Sequence, residues 1–376
     1  MSDYLNGKDY SDYFKSLEES LTGENKPSQS EQKPYNRRST SRKRRKRRGI
    51  YKVIALRKVI LLFVLTAAVI AVLAATLPKL GKSRADTDGE NTKQQTSILQ
   101  ITEADESVIT YQSDGNTAQF PGDNDCEGGI IVNTATGKIV AGRNTQKRLY
   151  PASTTKIMTL LVACENIENY EDTFTMTLAI TDPLYVAEAS VAGFLNGETI
   201  TMTDLLYGLI LPSGADAALA LAEKISGSEA EFVKLMNQKV KALGLKDTHF
   251  VNTSGLYDSD HYSTAYDMAV ILETALKNPV CKKVLSTYQY TTSVTPQHPE
   301  GIPLSATLFE YMYGTEPETA TILGGKTGFV NEAGYCIASY GTGKATNDEY
   351  IVVTLKNSSR WPAFYGQIDL YKQFAK

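Results

Sequence analysis

Histidine is scarce in this sequence. The chain of 376 residues holds three, His249, His261 and His298. None falls in an H-E-x-x-H pattern, and no G-x-S-x-G turn occurs. A zinc peptidase built on paired histidines and a serine hydrolase activated by histidine are therefore both disfavoured. Cysteine is nearly as sparse. Cys126, Cys164, Cys281 and Cys336 stand far apart and include no C-x-x-C, so no metal site is expected, and no cofactor. Buried free thiols and one or two disulfides in an exported domain both fit these spacings. No internal repeat is visible.

Net charge is also small, −3 at neutral pH, but it conceals an asymmetry. Residues 1–58 carry a balance of +9, and the rest of the chain −12. Nine of the twelve positions from Arg37 to Arg48 are Lys or Arg. Ten residues beyond this block, Val59 to Leu77 gives nineteen residues without a charge. At 1.5 Å per residue such a run crosses a hydrocarbon core of ~30 Å as a helix. A basic cluster beside it keeps its own side in the cytoplasm. The expected topology is a single-pass cell-membrane protein with the bulk of the chain outside. A cleavable signal peptide is the competing reading, disfavoured by the long segment ahead of the apolar run. Membrane electrostatics and topology account for the basic block, so no nucleic-acid partner is expected.

Four regions follow. Residues 1–50 read as a disordered basic cytoplasmic tail. Residues 51–79 form the anchor region, with the span at about 59–77. Residues 80–127, acidic and rich in Thr, Gln and Ser, read as an extracellular linker. The globular domain is expected at 128–376. Within it, Ile130–Val132 and Lys138–Val140 flank Thr136-Gly137 as a hairpin. Ser228 with Glu231, and Thr264 with Asp267, open helices. Tyr335–Tyr340 and Tyr350–Leu355 read as strands, and Pro362–Phe374 as a closing helix. Strands at both ends and helices between them imply an α/β fold, one sheet assembled from distant parts of the chain.

Three short motifs bear on chemistry. Ser153-Thr154-Thr155-Lys156 follows Pro151 at the start of a helical run, which puts serine and lysine on one face. A serine hydroxyl needs a neighbouring base, and a lysine is one only if burial or a nearby cation lowers its pKa from ~10.4. Ser213-Gly214-Ala215-Asp216 interrupts two apolar helical stretches. Lys326-Thr327-Gly328, followed by Phe329, lies in a glycine-rich strand that can receive an extended peptide along its edge. Each alone has little weight. Their order is that of penicillin-binding proteins and class A β-lactamases.

The sequence resembles that superfamily, and within it the serine-type D-alanyl-D-alanine carboxypeptidases, from Gly128 to about Phe374. Asn196-Gly197-Glu198, Asp204 to Gly208, His261 to Asp267 and Ala333 to Cys336 carry the likeness beyond the motifs. The resemblance implies a β-lactamase/transpeptidase-like fold, an antiparallel sheet of N- and C-terminal strands against a helical middle. It implies an acyl-enzyme at Ser153, Lys156 as base and Ser213 as proton relay. Lys326, Thr327 and Gly328 would form the substrate-binding strand, Lys326 and Thr327 taking the terminal carboxylate. The amides of Ser153 and Phe329 would form the oxyanion hole. Arg360 would assist with the carboxylate. The implied partners are peptidoglycan stem peptides ending in D-Ala-D-Ala, and β-lactams as covalent inhibitors.

One departure stands out. Ala215 occupies the position where the family has asparagine, which puts rate and substrate preference in question. A weakened, penicillin-binding or peptidoglycan-sensing protein is the alternative of a different class. A class A β-lactamase would need a Glu-x-x-Leu-Asn segment between Ser213 and Lys326, and none occurs. Long-lived acylation is expected rather than rapid release.

Overall fold

A computed structural model describes residues 108–312 and 314–376. The tail, the apolar run Val59–Leu77 and most of the acidic segment lie outside the described residues. Among the described residues, no helix is long and apolar enough to cross a membrane.

The main sheet has six strands, of which three come early in the chain and three late. The early ones are β1 (Ala118–Gln119), β2 (Gly128–Asn133) and β3 (Lys138–Arg143). A 3-10 turn, Ala152–Thr155, runs into helix α1 (Lys156–Asn166). The middle holds α2 (Leu178–Val186), α3 (Met202–Ile210), α4 (Ala215–Ser226), α5 (Glu229–Ala242), α6 (Ala265–Lys277) and α7 (Pro279–Leu285). Two small ribbons flank these helices, β4 (Thr173–Thr175) with β5 (Thr199–Thr201), and β6 (Gln289–Thr291) with β7 (Pro303–Ser305). A short α8 (Thr307–Met312) precedes β8 (Ala320–Val330), β9 (Gly334–Gly343) and β10 (Glu349–Asn357), and α9 (Arg360–Phe374) closes the fold.

Strand order is β1-β3-β2-β10-β9-β8, so the last strand inserts beside the first hairpin and β8 is left at an edge. All pairs are antiparallel except the outermost, where β1 runs parallel to β3. The expected all-antiparallel sheet is thus corrected at that edge.

Every residue of β2 is buried, because helices cover both faces of the sheet. Ile130 and Val132 join the core shared with α1, α3 and α6, while Ile131 joins Leu370 and Tyr371 of α9 on the other side. The period of two along the strand sorts them. The helix starts read from sequence hold: Ser228 accepts from the Glu231 N–H and Thr264 from the Asp267 N–H.

The folded unit begins before Gly128. Tyr111 is buried, and its hydroxyl donates to Glu273 Oε2 at 2.6 Å. Phe120 and Cys126 are buried as well. Residues 108–127 therefore pack on the domain rather than tether it. Isolated aromatics in an acidic stretch do this, and composition averages them away.

Candidate active site

The nucleophile turn is strained and clamped. Ala152, directly before Ser153, has φ of +48°, a left-handed conformation that costs a non-glycine residue of order 1–3 kcal/mol. Two distant glycines hold it there. A β-carbon on Gly255 would lie 1.9 Å from the Ala152 carbonyl oxygen, and one on Gly328 would lie 2.7 Å from the Ser153 nitrogen. Neither position has room for a side chain. Behind the turn, the Val251 N–H donates to His261 Nδ1, which leaves Nε2–H to donate to Thr155 Oγ1 at 2.8 Å. Burial pulls the His261 pKa down to about 4, so the ring is neutral.

Pro151 was expected to open an α-helix at the motif. The structure instead places Ser153 in the 3-10 turn and Lys156 at the first position of α1. Residues three apart eclipse in 3-10 geometry. Lys156 Nζ accordingly donates to Ser153 Oγ at 3.0 Å and to the Ser254 carbonyl at 2.7 Å. The lysine is only 2% exposed. Burial pulls its pKa down to about 7, opposed in part by the negative charge of Asp216.

Asp216 is itself buried, which raises its pKa against the pull of backbone donors. It accepts from the amides of Ala192, Gly193, Phe194 and Ala217, at 2.8 to 3.3 Å. These bonds tie the segment after α2 to the second motif. Ser213, in the turn between α3 and α4, is also left-handed, with φ of +67°, and nearly buried. Among the described residues, no hydrogen bond joins its hydroxyl to Ser153 or Lys156.

Lys326 extends from edge strand β8 and is 1% exposed. Burial and the adjacent Lys156 ammonium hold its pKa well below that of an exposed lysine. Its Nζ donates to the Thr327 carbonyl at 2.8 Å. Thr327 is half-buried, Gly328 faces the nucleophile turn, and Phe329 is 48% exposed with its ring 4.4 Å from that of Tyr335. Arg360 lies with its guanidinium over the Tyr311 ring, 5.0 Å from the centroid.

The first and third motifs thus meet, with Ser153, Lys156, Lys326 and Gly328 packed together, and Asp216 of the second motif lies near enough for its charge to act on Lys156. Sequence reading missed the Asn252–Gly255 loop. The Ser254 carbonyl accepts from both Lys156 and Ser153 Oγ, the latter at 3.3 Å. Asn252 Oδ1 shapes that loop by accepting from the amides of Ser254 and Gly255. Asn-Thr-Ser-Gly is a turn-forming run between helices, and that was the available signal.

The likeness to known proteins covers the same ground. A family model for D-alanyl-D-alanine carboxypeptidase matches residues 114–359. The D-alanyl-D-alanine carboxypeptidase DacF of Bacillus subtilis is 37% identical over 216 residues, 56% of this chain and 52% of its own length. The D-alanyl-D-alanine carboxypeptidase of Streptomyces sp. strain K15 is 34% identical over 217 residues, 56% of this chain and 74% of that one. The crystal structure of the Streptomyces K15 DD-transpeptidase superposes with a TM-score of 0.61 at 29% identity, covering 68% of this chain and 98% of that one. The chain spans about half the length of DacF and a larger share of the Streptomyces protein. The matched stretch takes in all three motifs together with the strands and helices that carry them, and the chain belongs to the D-alanyl-D-alanine carboxypeptidase family.

Proposed function

We propose that the chain is a serine D,D-carboxypeptidase that releases the terminal D-alanine of peptidoglycan stem peptides ending in D-Ala-D-Ala. The observation that carries this reading is the buried Lys156 with its Nζ 3.0 Å from Ser153 Oγ and its pKa held to about 7. In its neutral form Lys156 takes the Ser153 proton as the hydroxyl oxygen attacks the carbonyl of the penultimate residue. The amides of Ser153 and Phe329 receive the developing oxyanion. Stabilisation of this kind is worth ~10²–10³ in rate per donor.

Collapse of the tetrahedral intermediate expels D-alanine, whose amine takes a proton through Ser213. Water then attacks the ester at Ser153 by the reverse route. Lys326 and Thr327 hold the terminal carboxylate, and the free edge of β8, with Gly328 against the nucleophile turn, receives the peptide backbone. An arriving carboxylate favours the protonated form of Lys326, whose charge burial otherwise opposes. A penicillin acylates the same serine and is released slowly. The apolar run Val59–Leu77 after a basic block supports a single-pass anchor in the lipid bilayer, with the peptidase outside the cell.

A second reading, a penicillin-binding sensor of cell-wall peptides with little turnover, is favoured by one feature. Ala215 supplies no amide where the family has one. Release of D-alanine from a model pentapeptide ending in D-Ala-D-Ala separates the two. Multiple turnovers, absent in Ser153→Ala, mark a carboxypeptidase; acylation without release marks a sensor.

A further inference from the structure

All four cysteines in this structure are free and buried. Two of them are neighbours. Side chains on a helix lean toward its N-terminus, so Cys164 on α1 points back over the turn at Leu160. Cys281, on α7, places its Sγ 3.9 Å from the Leu160 carbonyl oxygen. Both side chains thus approach the same Leu160 carbonyl, Cys164 from one turn further along its own helix and Cys281 from the facing helix. Cys281 is fully buried, whereas Cys164 keeps 6% of its surface exposed.

The two helices hold the two halves of the site. Helix α1 begins at Lys156. The end of α7 supports β8, since a β-carbon on Gly324 would lie 2.2 Å from the Leu285 carbonyl oxygen, and Lys326 follows two residues later. We propose that Cys164 and Cys281 form an oxidative cross-linking site, whose disulfide locks the helix bearing Lys156 to the helix that supports the strand bearing Lys326.

A soluble disulfide such as oxidised glutathione is the oxidant. The Cys164 thiolate attacks it and expels one glutathione thiolate. The Cys281 sulfur then displaces the second. Two protein S–H bonds and the glutathione S–S bond break, one protein S–S bond forms, and both protons end on the released glutathione thiols. The bond closes a loop of more than a hundred residues, which restricts the unfolded chain and favours the folded one. Cys126, in the cluster with Leu370 and Tyr371, and Cys336, with its Sγ 3.5 Å from the Tyr150 carbonyl oxygen, lie elsewhere in the fold and stay reduced.

The test treats the folded full-length chain with oxidised glutathione and then counts thiols under denaturant. Thiols should fall from four to two, peptide mapping should join the Cys164 and Cys281 peptides, and Tm should rise by several degrees. Cys164→Ala and Cys281→Ala should each remove the cross-link and the Tm rise. Cys126→Ala and Cys336→Ala should keep both. Four persisting thiols, a link between any other pair, or a cross-link with no gain in Tm would overturn the assignment. Acylation of Ser153 by a fluorescent penicillin, measured on the reduced chain, reports separately on the proposed function.

Discussion

The carbonyl oxygen of Ser254 accepts a 2.7 Å hydrogen bond from Lys156 Nζ, so a loop far along the chain holds the lysine that faces Ser153. This bond bears directly on Ala215. The family resemblance implies that the asparagine missing at that position would help hold both lysine and substrate, and here the lysine already has another acceptor. Acylation of Ser153 should therefore survive the missing amide, with the loss falling on peptide orientation. Ala215→Asn is expected to raise kcat/KM for D-alanine release by roughly tenfold, the worth of one well-placed hydrogen bond. Penicillin acylation should change little. Steady-state kinetics beside stopped-flow acylation checks this.

The pH dependence of acylation follows from Lys156. Only the neutral amine accepts the serine proton. With a pKa of about 7, acylation should be slow in acid, rise through about pH 7 and level off above it. The negative charge of Asp216 raises that pKa, so Asp216→Asn should move the rising limb to lower pH, its one carbonyl oxygen still accepting from two of the four neighbouring amides. Lys156→Arg stays charged throughout and should lose ~10²–10⁴ in acylation rate.

The clamped nucleophile turn gives a steric prediction. Gly255 has φ of +81° and no room for a methyl group beside Ala152. Gly255→Ala should cost at least ~1–3 kcal/mol of stability, read by thermal or denaturant unfolding. It should also slow acylation in the fraction that remains folded, because the displaced atoms belong to the turn that carries Ser153.

Much of this site could be read before the fold. The S-x-x-K spacing, the Lys-Thr-Gly strand and the helix caps at Ser228 and Thr264 are local signals, each written within four residues of sequence. What escaped depends on contacts between residues far apart. Ser254 lies 98 positions from Lys156, in a polar loop with no periodicity. Tyr111 anchors residues 108–127 through Glu273 on α6, which composition alone reads as part of a linker. The parallel edge strand β1 is two residues long, too short for a pattern.

His261 predicts an acid limit to stability. Its pKa of about 4 in the fold lies below the 6.5 of an exposed histidine. Between these values the unfolded chain binds a proton that the folded chain does not. Stability is thus complete above about pH 6.5 and falls as pH drops toward 4, by roughly 3 kcal/mol at most. His261→Gln, which retains a donor for Thr155, should flatten that part of the curve in urea unfolding at a series of pH values.

The most direct measurement is covalent labelling of the full-length chain by a fluorescent penicillin, wild type beside Ser153→Ala, with the adduct located by peptide mass. One label per chain on the Ser153 peptide of the wild type, and none on Ser153→Ala, is the expected result. An unlabelled wild type, or equal labelling of the two, would contradict the assignment of Ser153 as the nucleophile.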